Sequence, residues 1–123
     1  MKIALFLSLT SLGFMAFQLP FSIRESKIPD NVSKVFEHSC YDCHSDAAKN
    51  KDARNTLNLE KWSGYKLTKK ISLLNDISEV IEEEKMPPEK YLSIKPEKKP
   101  SEAQRDSILE WVDKETAALL EKE

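Results

Sequence analysis

Glycine is almost missing from this 123-residue chain, which carries only Gly13 and Gly64. Phosphate-cradling loops and dinucleotide fingerprints need several glycines at fixed spacing, so both are excluded. The same shortage argues against a hairpin-rich β fold, whose tight turns call for residues that accept positive φ. Cysteine is just as scarce, and two residues cannot build a disulfide framework. Neither sign of charge dominates: 19 basic and 21 acidic side chains leave a net charge of −2, which excludes a general nucleic-acid binder. There is no internal repeat and no low-complexity tract.

One long apolar run is present, at the start. Residues 1–22 read MKIALFLSLTSLGFMAFQLPFS, with Lys2 as a short positive lead, an apolar stretch from Ile3 to Leu19, and Pro20 as the break. This is the anatomy of an export signal. Its length also meets the lower limit of roughly 17–25 residues for a membrane span. Residues 1–22 are therefore expected to be a signal peptide or an N-terminal membrane anchor. Residues 23–123 would then form one domain on the outer side of the cytoplasmic membrane. That domain holds every charged residue except Lys2. So polar a chain of about 100 residues buries a thin core and needs something further to fold around.

The apolar spacing in this domain is helical. Val32, Val35 and Phe36 mark a first helix, with Asp30 as its expected cap, running into Cys40. The polar stretch from His44 to Asn58 reads as a surface loop with at most one helical turn. Leu57, Leu59, Trp62 and Tyr65 then restore apolar bulk, and Gly64 is expected to permit a turn. A second helix, expected to be capped by Thr68, carries Ile71, Leu73, Leu74, Ile77, Val80 and Ile81 as a broad inward stripe. Met86-Pro87-Pro88 is expected to stop it, because proline disfavours helical dihedrals in the residue before it. Residues 89–100 read as extended. Ser101 and Gln104 have the spacing of a capping box for a last helix, with Ile108, Trp111, Val112, Ala118 and Leu119 inward. The expected fold is all-α, a bundle of about three main helices.

The chemistry concentrates at His38-Ser39-Cys40-Tyr41-Asp42-Cys43-His44, which contains C-x-x-C-H. Two cysteines three positions apart can form thioethers with the two vinyl groups of one haem. The histidine that follows then falls under the iron as an axial ligand. A covalently held porphyrin would also give a thin-cored domain a large rigid body to pack around. A zinc site would need His38, Cys40, Cys43 and His44 all within seven residues, whereas such sites draw ligands from two separated pairs. A thioredoxin-type redox pair would need a preceding strand and a βαβ setting, and the pattern shows neither. A plain Cys40–Cys43 disulfide is the blandest alternative.

For a second axial ligand the choice is narrow. Beyond the first 22 residues Met86 is the only methionine, and His38 the only histidine besides His44. Met86 precedes two prolines that stiffen its loop. His38 lies too close to Cys40 to reach the far face and reads as a surface residue. Trp62, Trp111, Tyr65 and Tyr91 are the aromatic residues available to wall a haem pocket; Trp62 is the one expected to, with core packing as the ordinary alternative. His/Met coordination would raise the reduction potential and leave no open position on the iron, which suits electron carriage. The lysines at 66–70 and 95–99 read as solvated charge.

The segments CYDCHS at 40–45, LNLEKW at 57–62 and the stretch from Ile81 to Glu115, with its Met-Pro-Pro-x-x-Tyr, resemble the bacterial haem-binding-domain family of small exported monohaem c-type cytochromes. The resemblance implies one covalent haem c, with Cys40 and Cys43 as thioether anchors, His44 as proximal ligand and Met86 as distal ligand. The chain departs from the family after His44, where many members carry an aromatic Pro-Trp stretch. The function expected on these grounds is single-electron carriage rather than catalysis, with periplasmic or membrane-bound redox proteins as partners. The alternative is a haem-based ligand sensor or weak peroxidase with a labile distal ligand.

Overall fold

The computed structural model describes residues 27–121, and every regular element among them is helical. Three helices carry the bundle: α1 (Asp30–Ser39), α4 (Leu67–Glu82) and α6 (Glu102–Leu120). Three short ones, α2 (Tyr41–His44), α3 (Lys51–Thr56) and α5 (Glu89–Leu92), shape the connections, with 3-10 turns at Leu59–Gly64 and Pro96–Lys98. The expected all-α bundle with three main helices is what the chain adopts. None of the described helices is long and apolar enough to cross a membrane, and the expected signal or anchor at residues 1–22 lies outside the described residues.

Each main helix buries the stripe its spacing implies. Helix α4 packs most extensively on α6, and α1 closes against α6 as well. Leu74 of α4 and Ile108 of α6 are fully enclosed at that seam. Where α1 meets α6, Phe36 stands edge-on to Trp111 at 5.7 Å, and Trp111 edge-on to Trp62 at 5.2 Å. Edge-to-face pairs of this kind contribute about 0.5–1.5 kcal/mol each beyond area burial. Ala118, expected inward, is only half-buried.

The ends of the helices differ from the sequence-based expectation in several places. Asp30 is the first residue of α1 rather than its cap. Pro29 occupies the cap position, and Asp30 offers its carboxylate to the positive helix end instead. Thr68 likewise lies inside α4, whose cap position is Lys66. Gly64 does not have a positive φ, and nothing lies within 4 Å of where a Cβ would stand, so its turn does not depend on glycine. Helix α4 ends at Glu82, before the prolines reach it, because Glu84 takes the left-handed conformation at φ 53°. The backbone N–H groups of Lys85 and Met86 then both donate to the Val80 carbonyl, at 2.9 and 3.3 Å. The left-handed region costs a non-glycine residue roughly 1–2 kcal/mol. Glu84 is held there across the bundle by Arg105, with Nη1 at 3.0 Å. The stretch 89–100 is not extended: α5 and the Pro96–Lys98 turn fill it. The Ser101–Gln104 capping box is present, with both reciprocal hydrogen bonds formed at 3.2 and 2.8 Å.

The polar stretch after His44 is more ordered than a surface loop. Asn50 caps α3 by accepting from the Ala53 N–H at 3.1 Å, and Ala48 and Asn58 are buried. Asn58 works as a polar plug. Its amide donates to Asp46 at 2.8 Å, its side-chain oxygen accepts from the Glu60 N–H at 3.1 Å, and its own N–H donates to the Tyr65 hydroxyl at 2.9 Å.

Candidate functional site

Helix α1 stops at Cys40, whose N–H still donates to the Phe36 carbonyl at 2.8 Å. The chain then makes one tight turn, α2, in which the N–H groups of Cys43 and His44 both donate to the Cys40 carbonyl, at 3.1 and 2.9 Å. This turn puts two thiols at i and i+3, on one side of the backbone, with the imidazole beside them. Both cysteines are free thiols. Removal of water from around the Cys40 sulfur, reinforced by the neighbouring Cys43, pushes that thiol up to about 12. A thiol held in its protonated form is a poor redox nucleophile, which counts against the thioredoxin-type alternative.

The His44 ring is fixed by the segment that follows α3. Its Nδ1 lies 3.0 Å from the Leu57 carbonyl oxygen. A carbonyl can only accept, so that bond assigns the proton to Nδ1 and leaves the Nε2 lone pair available to a metal. Metal-binding histidines are oriented in this way. Asn58, the next residue, anchors the strand of chain that presents the carbonyl, and its role is invisible in the motif itself.

Cys40, Cys43 and His44 line a cleft together with Met86, Pro87, Pro88 and Tyr91, and with Asn50 and Ala53 of the α3 segment. Its cavity volume is about 110 Å³, below the roughly 300–1,000 Å³ typical of closed cofactor sites, so a group as large as a haem would extend out through its mouth. The structure thus brings Met86 to the same cleft as His44, 42 positions apart in the chain. Met86 remains 37% exposed. Ser39 also lines the cleft. Its hydroxyl is buried and has no hydrogen-bond partner, as expected of a wall that faces a polar group of a bound molecule. Two thiols, an imidazole with one nitrogen already hydrogen-bonded, a thioether and an orphaned hydroxyl around one cleft are a donor set that fits a haem. Among the described residues no cluster of three or more His, Cys, Asp and Glu has the arrangement of a metal site, so the zinc alternative gains no support.

Two sequence-picked residues lie elsewhere. Trp62, the expected pocket wall, does not line the cleft: it is 2% exposed in the core, edge-on to Trp111 and to Tyr65. Periodicity cannot tell a core tryptophan from a pocket one, and here the 3-10 turn directs it inward. Trp62→Ala is accordingly expected to cost about 3–5 kcal/mol in urea unfolding while leaving the haem absorption spectrum unchanged. His38 is exposed, with its Nε2 2.9 Å from the Glu97 carbonyl, so it braces the chain after α5.

The sequence reading missed the group that closes the cleft. Asp42, between the two cysteines, accepts from the Tyr91 hydroxyl at 2.6 Å and from Lys95 Nζ at 2.8 Å, both on the same carboxylate oxygen. The Lys95 ammonium, and after it the Tyr91 hydroxyl, hold the Asp42 carboxyl below its ordinary range. Desolvation and then the Asp42 charge push the Tyr91 hydroxyl well above the usual phenol value.

A family model for the haem-binding domain matches residues 47–114. That stretch begins three residues after His44 and includes Met86 and Tyr91, so the match and the C-x-x-C-H turn are separate observations that meet at one cleft. No curated protein and no solved structure matches the chain. The matched region covers more than half of the chain, and with it this helical protein belongs to the haem-binding-domain family.

Proposed function

We propose that the protein is a monohaem c-type cytochrome that carries single electrons on the outer side of the cytoplasmic membrane. In this reading Cys40 and Cys43 hold the porphyrin as thioethers, His44 ligates the iron through Nε2, and Met86 is the distal ligand. The observation that carries it is the His44–Leu57 hydrogen bond, which frees Nε2 on the turn that bears both thiols, in a cleft that Met86 also lines. When bound, the haem supplies a one-electron iron couple. The chain supplies the rest: the thiols prevent loss of the group, the Leu57 carbonyl fixes the imidazole tautomer, and Met86 favours the reduced state and blocks other ligands. Redox proteins of the periplasm or membrane are the partners this function requires.

The second reading is a ligand sensor or weak peroxidase in which the Met86 thioether is readily displaced. Carbon monoxide separates the two. The reduced holoprotein is expected to resist the gas, its spectrum unchanged under a saturating atmosphere. Rapid, tight binding would instead establish the sensor reading.

A further inference from the structure

We propose that Tyr91 and Lys95 are positioning residues that grip Asp42 on the haem-attachment turn and thereby hold Met86 at the iron. The inference rests on the reading of Met86 as distal ligand, and it adds what keeps that ligand in place. The segment that carries it is fastened at both ends. Upstream, the Met86 N–H donates to the Val80 carbonyl at 3.3 Å, the last bond of the α4 terminus. Downstream, two prolines with fixed φ lead directly into α5, where the Tyr91 N–H donates to the Pro88 carbonyl at 2.9 Å. Few free dihedrals separate Met86 from Tyr91, so where Tyr91 is held Met86 is held too.

The turn continues past α5, with the Lys95 N–H on the Tyr91 carbonyl at 3.0 Å. Tyr91 and Lys95 are therefore i and i+4 neighbours on one face, with Lys95 Nζ 5.6 Å from the centre of the Tyr91 ring. Both donate to the same oxygen of Asp42, across 49 and 53 residues of chain. Asp42 stands between the two cysteines, so its backbone would be stitched to the porphyrin on either side. The contact thus joins the attachment turn to the segment that follows Met86.

An external ligand reaches the iron only when the thioether has left, so its apparent affinity scales with the fraction of molecules in that open state. Loss of the Tyr91 hydroxyl is expected to raise that fraction about tenfold. The test is imidazole titration of the oxidised holoprotein, with covalent haem content measured in each variant. Tyr91→Phe is expected to bind imidazole about tenfold more tightly than the parent, with haem content unchanged and the sulfur-to-iron charge-transfer band weakened. Adding Asp42→Ala to Tyr91→Phe should change the affinity far less than it does in the parent background. Ser101→Ala, which removes half of the α6 capping box without touching the Asp42, Tyr91 and Lys95 contacts, should leave the affinity unchanged and so separates positioning from general stability. Should Tyr91→Phe fail to retain haem, Lys95→Met carries the same comparison from outside the cleft wall.

A parent-like imidazole affinity in Tyr91→Phe and Lys95→Met would overturn the latch, as would an equal gain in Ser101→Ala. A parent protein without the sulfur-to-iron band would instead overturn the Met86 assignment itself, so the two failures are told apart by the unmutated protein.

Discussion

Replacing Cys40 and Cys43 together with alanine is expected to abolish covalent haem completely, leaving a chain whose intact mass is that of polypeptide alone. The two thiols are the only cysteines in the sequence, so nothing else can take their place as anchors. Stability should suffer as well. With thioethers intact, the unfolded chain keeps its porphyrin tethered, at an effective concentration that short linkers set in the millimolar range. Without them the native state must recruit free haem, and the stabilisation then depends on its concentration as RT ln(1 + [L]/Kd), about 4 kcal/mol at a thousandfold excess over Kd. The variant is therefore expected to unfold at lower urea when haem is withheld and to regain part of the loss when haem is added. Single variants should keep one thioether and show an intermediate phenotype. Haem that still resists extraction in the double variant would show that the C-x-x-C-H turn is not the attachment site.

Met86→Ala is expected to have the second largest effect, on the iron rather than on attachment. Removing the thioether removes the sulfur-to-iron charge-transfer band and the preference for reduced iron that this ligand confers. Within the ~0.8 V span that axial ligands set, the potential should fall by roughly 0.1–0.3 V. The same variant should bind carbon monoxide when reduced at least about a hundredfold more tightly than the parent, because the open fraction becomes unity. Potentiometry and gas titration check the two effects independently.

Much of this architecture is legible in the residues. The three- and four-residue spacing of Val32, Val35 and Phe36, and of Leu73, Leu74, Ile77 and Ile81, marks the buried faces of α1 and α4. Ser101 and Gln104 announce the start of α6, because both halves of that cap are local and four residues suffice to encode it. What escaped the sequence lies at larger separations or depends on where the backbone enters a helix. Asp30 and Thr68 are good capping residues by type, yet the chain enters each helix at Pro29 and Lys66. The end of α4 is set by a left-handed glutamate that no propensity scale favours, and Arg105 compensates for it from another helix.

The site divides in the same way. Cys40, Cys43 and His44 are neighbours in the chain, so spacing alone placed them together. The Leu57 carbonyl that orients His44 and the Tyr91 and Lys95 side chains that meet Asp42 come from 13, 49 and 53 positions away. Backbone carbonyls carry no residue signature, and a tyrosine five places after a methionine reads as packing until the fold shows what it touches. Trp62 went the other way: its type suggested a pocket wall, and its place is the aromatic core between α1 and α6.

The central claim is a haem joined to this chain through Cys40 and Cys43. Protein expressed with a cytochrome c maturation system, denatured in alkaline pyridine, tests it most directly. The expected result is the haemochrome spectrum of a thioether-linked porphyrin at one haem per chain, surviving acid extraction. A spectrum of unlinked haem, or none, from protein made under those conditions would contradict it.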